Sequence, residues 1–411
     1  MAVSTIRHAS AFKPISVPVL GAVALDNWDR VQSFSASTTQ PQENLYELGR
    51  LAKMAVDKGI LEATLSISQL EYGTLDSFLQ ICNLSAKPSG GIDLDDFDAG
   101  RVDFISPGKD IYGGTVEQTL WLEHMSLDSL GIEINADDRL VRNFDFSGES
   151  AKIARYGNKY VIFTSDTAAS GTSGSYDIIL SDPAPVADPN NAGVYILKVY
   201  RIRAGVATEL DITTDYTWTN GTTTLNIIAG LAADNYRIWF TAASYGSAGD
   251  PEALDDVNDY YLRSENVTVE IDDGSNPAVE LTTLTSLSIT ATFNRVEEAV
   301  LGSAVKIKDT ESYDVTVALG GFVKSFSIEE ALMTQAGQSW GIIDYSLFDE
   351  LIVTVKVYKE AAKTNFLIGY QVDAAVFADS DANSFDANSF GSGSLNLGSD
   401  NLLITNIIGD L

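Results

Sequence analysis

Groups able to gain or lose a proton near neutral pH are scarce in this sequence. Its 411 residues hold two histidines and one cysteine. His8 lies near the start, ahead of Pro14 and Pro18. His124 sits in LWLEHMSL (120–127), a strand-like or short helical run in which a structural role is the simpler reading. Cys82 stands in FLQICNLS (78–85), whose apolar neighbours make a small buried thiol of it. No Ser-His-Asp or Cys-His motif frames these residues. One cysteine cannot form an internal disulfide, and with two distant histidines it makes no zinc set.

Carboxylates are the abundant alternative. Asp and Glu number 57 against 26 Lys and Arg, a net charge of −31. In DSDANSFDANSF (379–390), Asp379, Asp381 and Asn383 alternate as in a calcium-binding loop. The sixth position is Ser384 instead of glycine and the twelfth is Phe390 instead of glutamate, so the fit fails. GIDLDDFDAG (91–100) lacks a second half of ligands. Both read as surface loops, with room for no more than an adventitious cation. No glycine-rich phosphate cradle occurs, and GTSGSYD (171–177) is a flexible turn. Aromatic residues do not interleave with basic ones as in a nucleic-acid reader. The residues predict no enzyme, no cofactor and no metal, and they point to assembly. The charge itself is either a solubility or salt-adapted surface, or a wall that repels phosphates and leaves DNA mobile beside it.

The elements that must carry these groups are strands. VQSFSAS, ATLSIS, KYVIFTS, VYILKVYRI, NYRIWFTA, NVTVEI, SLSITATF, YDVTVAL and LIVTVKVYK all alternate and are rich in β-branched and aromatic residues. Helical patterns are few: TLDSFLQICNL (74–84) and SIEEALMTQAG (327–337), the latter with Ser327 as N-cap and Gly337 after its end. ENLYELGRLAKMAVDKG (43–59) reads as a loop with a short helix. PISVPVLGAVAL (14–25) has a faint signal-peptide look, but two prolines interrupt it and no small-residue cleavage site follows. An extended arm leading into a strand is expected. No run of 18 apolar residues exists, so no membrane insertion is expected.

The chain repeats itself. SFSASTTQPQENLYELGR (33–50) is echoed 253 positions on by SLSITATFNRVEEAVLGS (286–303), where Ser33, Ser35, Thr39, Leu48 and Gly49 recur as Ser286, Ser288, Thr292, Leu301 and Gly302. Thr74-Leu75-Asp76 and Leu79 correspond to Ser327-Ile328-Glu329 and Leu332, and EATLSI corresponds to DVTVAL after a one-residue slip. RNFDFSGE (142–149) and SGSLNLGSD (392–400) end the two halves in the same manner. Between the halves, short strands alternate with turn signals such as Asn220-Gly221. The predicted organisation is an N-terminal arm (1–19), a first module (20–158), an immunoglobulin-like β-sandwich (159–246), a polar linker (247–264) and a second module (265–411). The fold class is mainly β, with a short flanking helix in each module.

The order strand RVQSFSAS, loop TTQPQENLYELGR, strand EATLSISQL and helix TLDSFLQICN, closing on LVRNFDFSGESAKI, resembles the major tail tube proteins of long-tailed viruses. Tube proteins of contractile injection systems share that fold. The resemblance covers roughly 20–158 and 265–411, and the middle segment resembles the immunoglobulin-like domains that decorate such proteins. It implies β-sandwich or small-barrel modules that close into rings. The rings stack into a conduit in the virion tail, built in the host cytoplasm, through which the tape-measure protein and then double-stranded DNA pass. Tail terminator, distal-tail and baseplate proteins are the implied partners. The family's usual chain has one module and forms six-fold rings. Two modules per chain imply a homotrimeric, pseudo-hexameric ring, with a hexamer as the fallback. Two other readings stand beside this one: a secreted or surface-layer adhesion or coat protein, and a distal-tail or baseplate ring of the same fold.

Within the tube reading, the loops Tyr46-Glu47-Leu48-Gly49-Arg50 and Leu301-Gly302-Ser303 are the candidate inter-ring contacts. Leu48 and Leu301 supply the apolar contact, and the glycines permit a backbone conformation closed to other residues. The alternative is that both Leu-Gly pairs only turn the chain within one subunit. The double variant Leu48→Asp/Leu301→Asp separates the two. Loss of tube growth by electron microscopy is expected, and normal growth would exclude an inter-ring role.

Overall fold

Where side chains alternate, the backbone is extended. The computed structural model describes residues 15–18, 26–45, 55–98, 100–109, 116–136, 138–155, 159–165, 174–188, 193–203, 206–231, 234–244, 262–272, 277–282, 284–299, 306–322, 350–384 and 392–411. The first part of the chain contains β1 (Ile15–Pro18), β2 (Asp26–Asn27), β3 (Val31–Thr39), β4 (Gln42–Leu45), β5 (Ala55–Lys58) and β6 (Glu62–Leu70). Two short helices, α1 (Asp76–Ile81) and α2 (Leu94–Asp98), precede β7 (Val102–Lys109), β8 (Val116–Asn135), β9 (Val141–Gly148) and β10 (Ser150–Arg155). The middle part holds β11 (Lys159–Ser165), β12 (Gly174–Ile179), β13 (Ile196–Arg203), β14 (Val206–Glu209), β15 (Tyr216–Trp218), β16 (Thr224–Gly230) and β17 (Asn235–Ala242). The last part holds β18 (Val267–Asp272), β19 (Val279–Glu280), β20 (Leu284–Ala299), β21 (Lys306–Phe322), β22 (Leu351–Tyr358), β23 (Phe366–Ser384), β24 (Ser392–Ser399) and β25 (Leu403–Thr405).

Several local expectations change. The stretch 43–59 contributes strand stems at both ends, because β4 pairs with β5 from Gln42↔Lys58 to Leu45↔Ala55. Residues 91–100 are not only a loop: α2 buries Leu94 and Phe97 while its aspartates stay outside. Asp379, Asp381 and Asn383 lie on the long strand β23 and not in a loop. The end of the expected linker is anchored, with Leu262 buried and a 3₁₀ turn at Ser264–Asn266. The expected helix at 327–337 lies outside the described residues.

The repeat is visible strand by strand. β8 serves two sheets: its first half pairs with β7 and β10, its second half with β9 and β20. β23 does the same, first with β22 and β25, then with β24. Each changes sheet at a residue with positive φ, His124 (+49°) and Ala374 (+51°). Each also carries a register shift just beyond, between Leu127 and Ser129 and between Phe377 and Asp379. Such bulges bend a strand and re-aim it. The outer sheets run β2-β1-β7-β8-β10 and β19-β18-β22-β23-β25. The inner sets run β3-β6-β9-β8 and β20-β21-β24-β23. The two inner sets are joined by antiparallel pairing of β8 with β20, from Ser129↔Thr292 to Asn135↔Ser286. The result is one continuous inner sheet of eight strands. The middle part is a separate two-sheet sandwich, β11-β17-β13-β14 over β12-β16-β15, around Val199, Leu225, Ile238 and Phe240.

One apolar core runs through both modules, because α1, α2 and the following turn of the first module lie against strands of the second. Phe78 of α1 meets Tyr370 of β23, and Phe97 of α2 meets Phe293 of β20. At the centre is a buried ion pair. Arg142 donates to both carboxylate oxygens of Glu71, to the Thr74 carbonyl at 3.0 Å and to the Tyr370 hydroxyl at 3.2 Å. Tyr370 donates in turn to Glu71, and the Gly73 N–H adds a fourth donor. Burial works against the Arg142 charge, but the adjacent Glu71 carboxylate more than offsets it and raises the arginine's pKa. Removing one member leaves the other charged and unpaired in the core, at a cost of about 3–5 kcal/mol. Arg142→Met is therefore expected to lower the denaturation midpoint sharply, and Arg142→Met/Glu71→Leu to recover most of the loss.

Candidate assembly site

The inner sheet has one apolar face and one polar face. On β6, Ala63, Leu65 and Ile67 point into the core while Thr64 and Ser66 point out. On β9, Phe144 and Phe146 point in, and Asn143 and Asp145 out. On β20 and β21, Leu287, Ile289, Val315 and Val317 are buried, against outward Ser288, Thr290, Asp314 and Thr316. The polar side chains hydrogen-bond across strands. Asp145 accepts from Ser66 (2.6 Å) and Ser129 (2.9 Å), Glu133 accepts from Asn143 (2.8 Å), and Ser37 pairs with Thr64 (2.7 Å). A shallow hollow of about 350 Å³ lies over Ser66, Ser129, Glu133 and Asp145. Across 31–39, 62–70, 126–135, 141–148, 286–294, 314–320, 376–384 and 392–399 the one basic residue is Arg142, and it faces the core. The outward face of these segments is thus small, polar and acidic, and they place no basic residue on it.

The two lateral edges of the eight-strand sheet are open among the described residues. β3 pairs only with β6, and the last part of β23 only with β24. Equivalence of the modules makes β3 the counterpart of β20. Ala36 faces Leu65 as Ile289 faces Val317. Ile289 is fully buried beside β8, whereas Ala36 is exposed and Phe34 half-exposed. An unpaired edge with apolar positions left open is a template for another strand.

Of the residues selected from sequence, Tyr46, Glu47, Leu48, Gly49 and Arg50, and Leu301, Gly302 and Ser303, lie outside the described residues. The strands that flank them are known. The first set connects β4 to β5, which continue the β3–β6 hairpin, and the second connects β20 to β21, so both sit in connections of equivalent strand pairs. Cys82 is buried, as its neighbours predicted.

His124 is on a strand, not a helix, at the join between the first module and the middle sandwich. There Trp121 packs on Tyr160 (centroids 5.4 Å apart) and Tyr200 on Trp239 (5.2 Å). Buried Asp103 accepts from Trp121 Nε1 and from the His124 N–H. Tyr200 donates to Glu209, so its oxygen is free to accept from His124 Nε2 (3.0 Å) while Glu149 sits 3.0 Å from Nδ1. Two acceptors on one imidazole favour the doubly protonated ring. Burial opposes that charge, but Glu149 and Asp103 prevail and raise the His124 pKa. Glu123 pairs with Lys152 (2.6 Å) and with Lys198 of the sandwich (3.0 Å). Burial pushes its pKa up, yet the two lysines more than offset this and bring it to about 2. Sequence placed Trp121, Glu123 and His124 in one run, but gave no sign of Lys198 or Tyr200 as their partners.

The two groups bracket a pH window. His124, with a raised folded pKa, contributes stability below about 6.5 that is lost as pH rises through its folded value. Glu123, with a lowered one, contributes stability above 4.5 that is lost as pH falls toward 2. A thermal-midpoint profile between pH 3 and 9 is expected to fall on both sides. His124→Gln flattens the alkaline side and Glu123→Gln the acid side.

No family model and no curated protein matches the chain. Solved structures similar to part of it include the tube-terminating cap of the anti-feeding prophage, at 17% identity and TM-score 0.26, covering 38% of this chain and 99% of that one. Another is a chain of the sheath–tube complex of an extracellular contractile injection system in its extended state, at 16% identity and TM-score 0.27, covering 36% and 94%. A third is a chain of the 6-fold symmetrised anti-feeding prophage baseplate, at 10% identity and TM-score 0.26, covering 38% and 98%.

Proposed function

We propose that this chain is a structural tail protein whose copies close into rings that stack as a tail tube. The observation that carries the reading is the β8–β20 seam. Inside one chain, the last strand of one inner set already pairs with the first strand of the next. The same two edges, β23 and β3, stand open at the outer limits of the eight-strand sheet. A second copy repeating the seam covers Ala36 and Phe34 as β8 covers Ile289 and Leu287. Repetition by rotation closes a ring and leaves no free edge.

Three copies with eight inner strands each give a 24-stranded wall, equal to six modules. The outer sheets and the middle sandwich lie outside that wall, and the polar acidic face lines the lumen. DNA passing along it meets hydroxyls, amides and carboxylates and is not retained. The hairpin connections at Tyr46–Arg50 and Leu301–Ser303 reach toward the neighbouring ring. The tape-measure protein shares the lumen, and terminator, distal-tail and baseplate proteins close the ends. No catalytic step is assigned to the chain.

Electron microscopy of the purified protein, with native mass measurement, tests this. Hollow rings or tubes built on trimers are the expected result. Monomers across all protein and salt concentrations would overturn the reading, and rings of six chains would overturn the trimer. Ala36→Lys isolates the edge. Ala36 is exposed in the single chain, so the variant should fold with an unchanged midpoint and fail to close rings.

A further inference from the structure

The modules touch at a second place besides the β8–β20 seam. The turn after α1 crosses from the first module to the outer sheet of the second. Ile92 and Ile404 of β25 exchange both backbone hydrogen bonds, each 2.8 Å. Lys87 reaches Asp410 at 2.6 Å. Together with Glu71 and Phe78, this segment leaves Ile404 and Tyr370 fully buried.

Register gives the counterparts of those residues in the first module. Ile404 pairs with Tyr370 on the β25–β23 ladder, and Ile153 pairs with Leu120 on the β10–β8 ladder. The match is fixed by the next strand over. Val372 faces Val353, and Leu122 faces Phe104, beside the same register shift. Yet Ile153 is 46% exposed where Ile404 is 0% exposed. Leu120 and Ala151 on the same face are only half-buried.

The covering segment is also repeated in sequence. IDLDDFD (92–98) recurs as IDYSLFD (343–349), with Ile, Asp, Phe and Asp at the same places. In the first module this segment reaches across to the module on its β8 side, where Ile92 pairs with Ile404 and Phe97 meets Phe293. The same placement carried over to the repeat would set it against the module on the β23 side, which in a ring belongs to another copy.

We propose that the apolar face formed by Leu120, Ala151 and Ile153 is a docking surface for a second copy of this chain, whose Ile343 pairs with Ile153 as Ile92 pairs with Ile404. The inference rests on the ring reading and adds to it a second intersubunit contact, on the outer sheet. Each subunit is then clasped to the next by strand pairing inside and by this segment outside.

Cysteine cross-linking tests it in the full-length chain. Facing residues that exchange both backbone bonds have Cα atoms about 5.5 Å apart, within disulfide range. The native Cys82 is buried and does not compete. Ile153→Cys/Ile343→Cys, oxidised after assembly, is expected to give reducible dimers and trimers on denaturing gels. Ile92→Cys/Ile404→Cys, oxidised alike, should close a disulfide within one chain. Rings without the intersubunit link, or a link confined to one chain, would overturn the proposal and leave the ring standing. Absence of rings from the unsubstituted protein would overturn the reading beneath it. Ile153→Lys should leave the exposed site of the single chain folded and abolish trimers; trimers at the unsubstituted level would also overturn the docking surface.

Discussion

Strand edges must be paired, and that constraint organises the whole molecule. Backbone N–H and C=O groups along an edge need partners. In this chain the last inner strand of one module meets that need with the first inner strand of the next, through β8 and β20. The eight-strand sheet, the shared core and the placement of α1 and α2 all follow from that seam. It also explains the asymmetry of burial between equivalent positions. Ile289 has a neighbour on both sides and is fully buried, while Ala36 has one and is exposed.

Two kinds of chemistry hold the parts together. Between the modules the contact is an apolar core in which Tyr370 of the second module caps the buried ion pair of Glu71 with Arg142 in the first. A pair so buried adds little net stability over an apolar replacement. Its effect is geometric: Glu71 accepts from Arg142, Tyr370 and the Gly73 N–H, so only one mutual placement of the modules satisfies all of them. Between the first module and the middle sandwich the contact is aromatic, ringed by Glu123, Lys198, His124 and Tyr200. In the proposed tube, this second join fixes how the sandwich stands on the outer wall.

Acidity is distributed with the same economy of means. The inner face carries its carboxylates among serine and threonine hydroxyls that hydrogen-bond them in place. Alternation along each strand sends the apolar residues to the core and leaves these groups outside. A surface with this character suits passage of a polyanion better than its capture, as the proposed tube requires.

The sequence determined the strands, because a period of two and β-branched composition act locally. It showed the duplication too, through Ser33, Ser35 and Thr39 and their echoes, which fall at equivalent places on β3 and β20. Cys82 as a buried thiol was also legible from its apolar neighbours. Arg142 was not singled out from the sequence, and its partners Glu71 and Tyr370 lie 71 and 228 residues away. The hairpin stems at 43–59 and the helix at 94–98 escaped a local reading, because β4 is specified by its partner β5 and α2 by the core that takes up Leu94 and Phe97. What only the tertiary structure decided is the long-range pairing: β8 with β20, α1 against β23, Ile92 with Ile404. Backbone hydrogen bonds are the same for every residue type, so the choice of neighbouring strand is written in the packing of the whole molecule and not in any one segment.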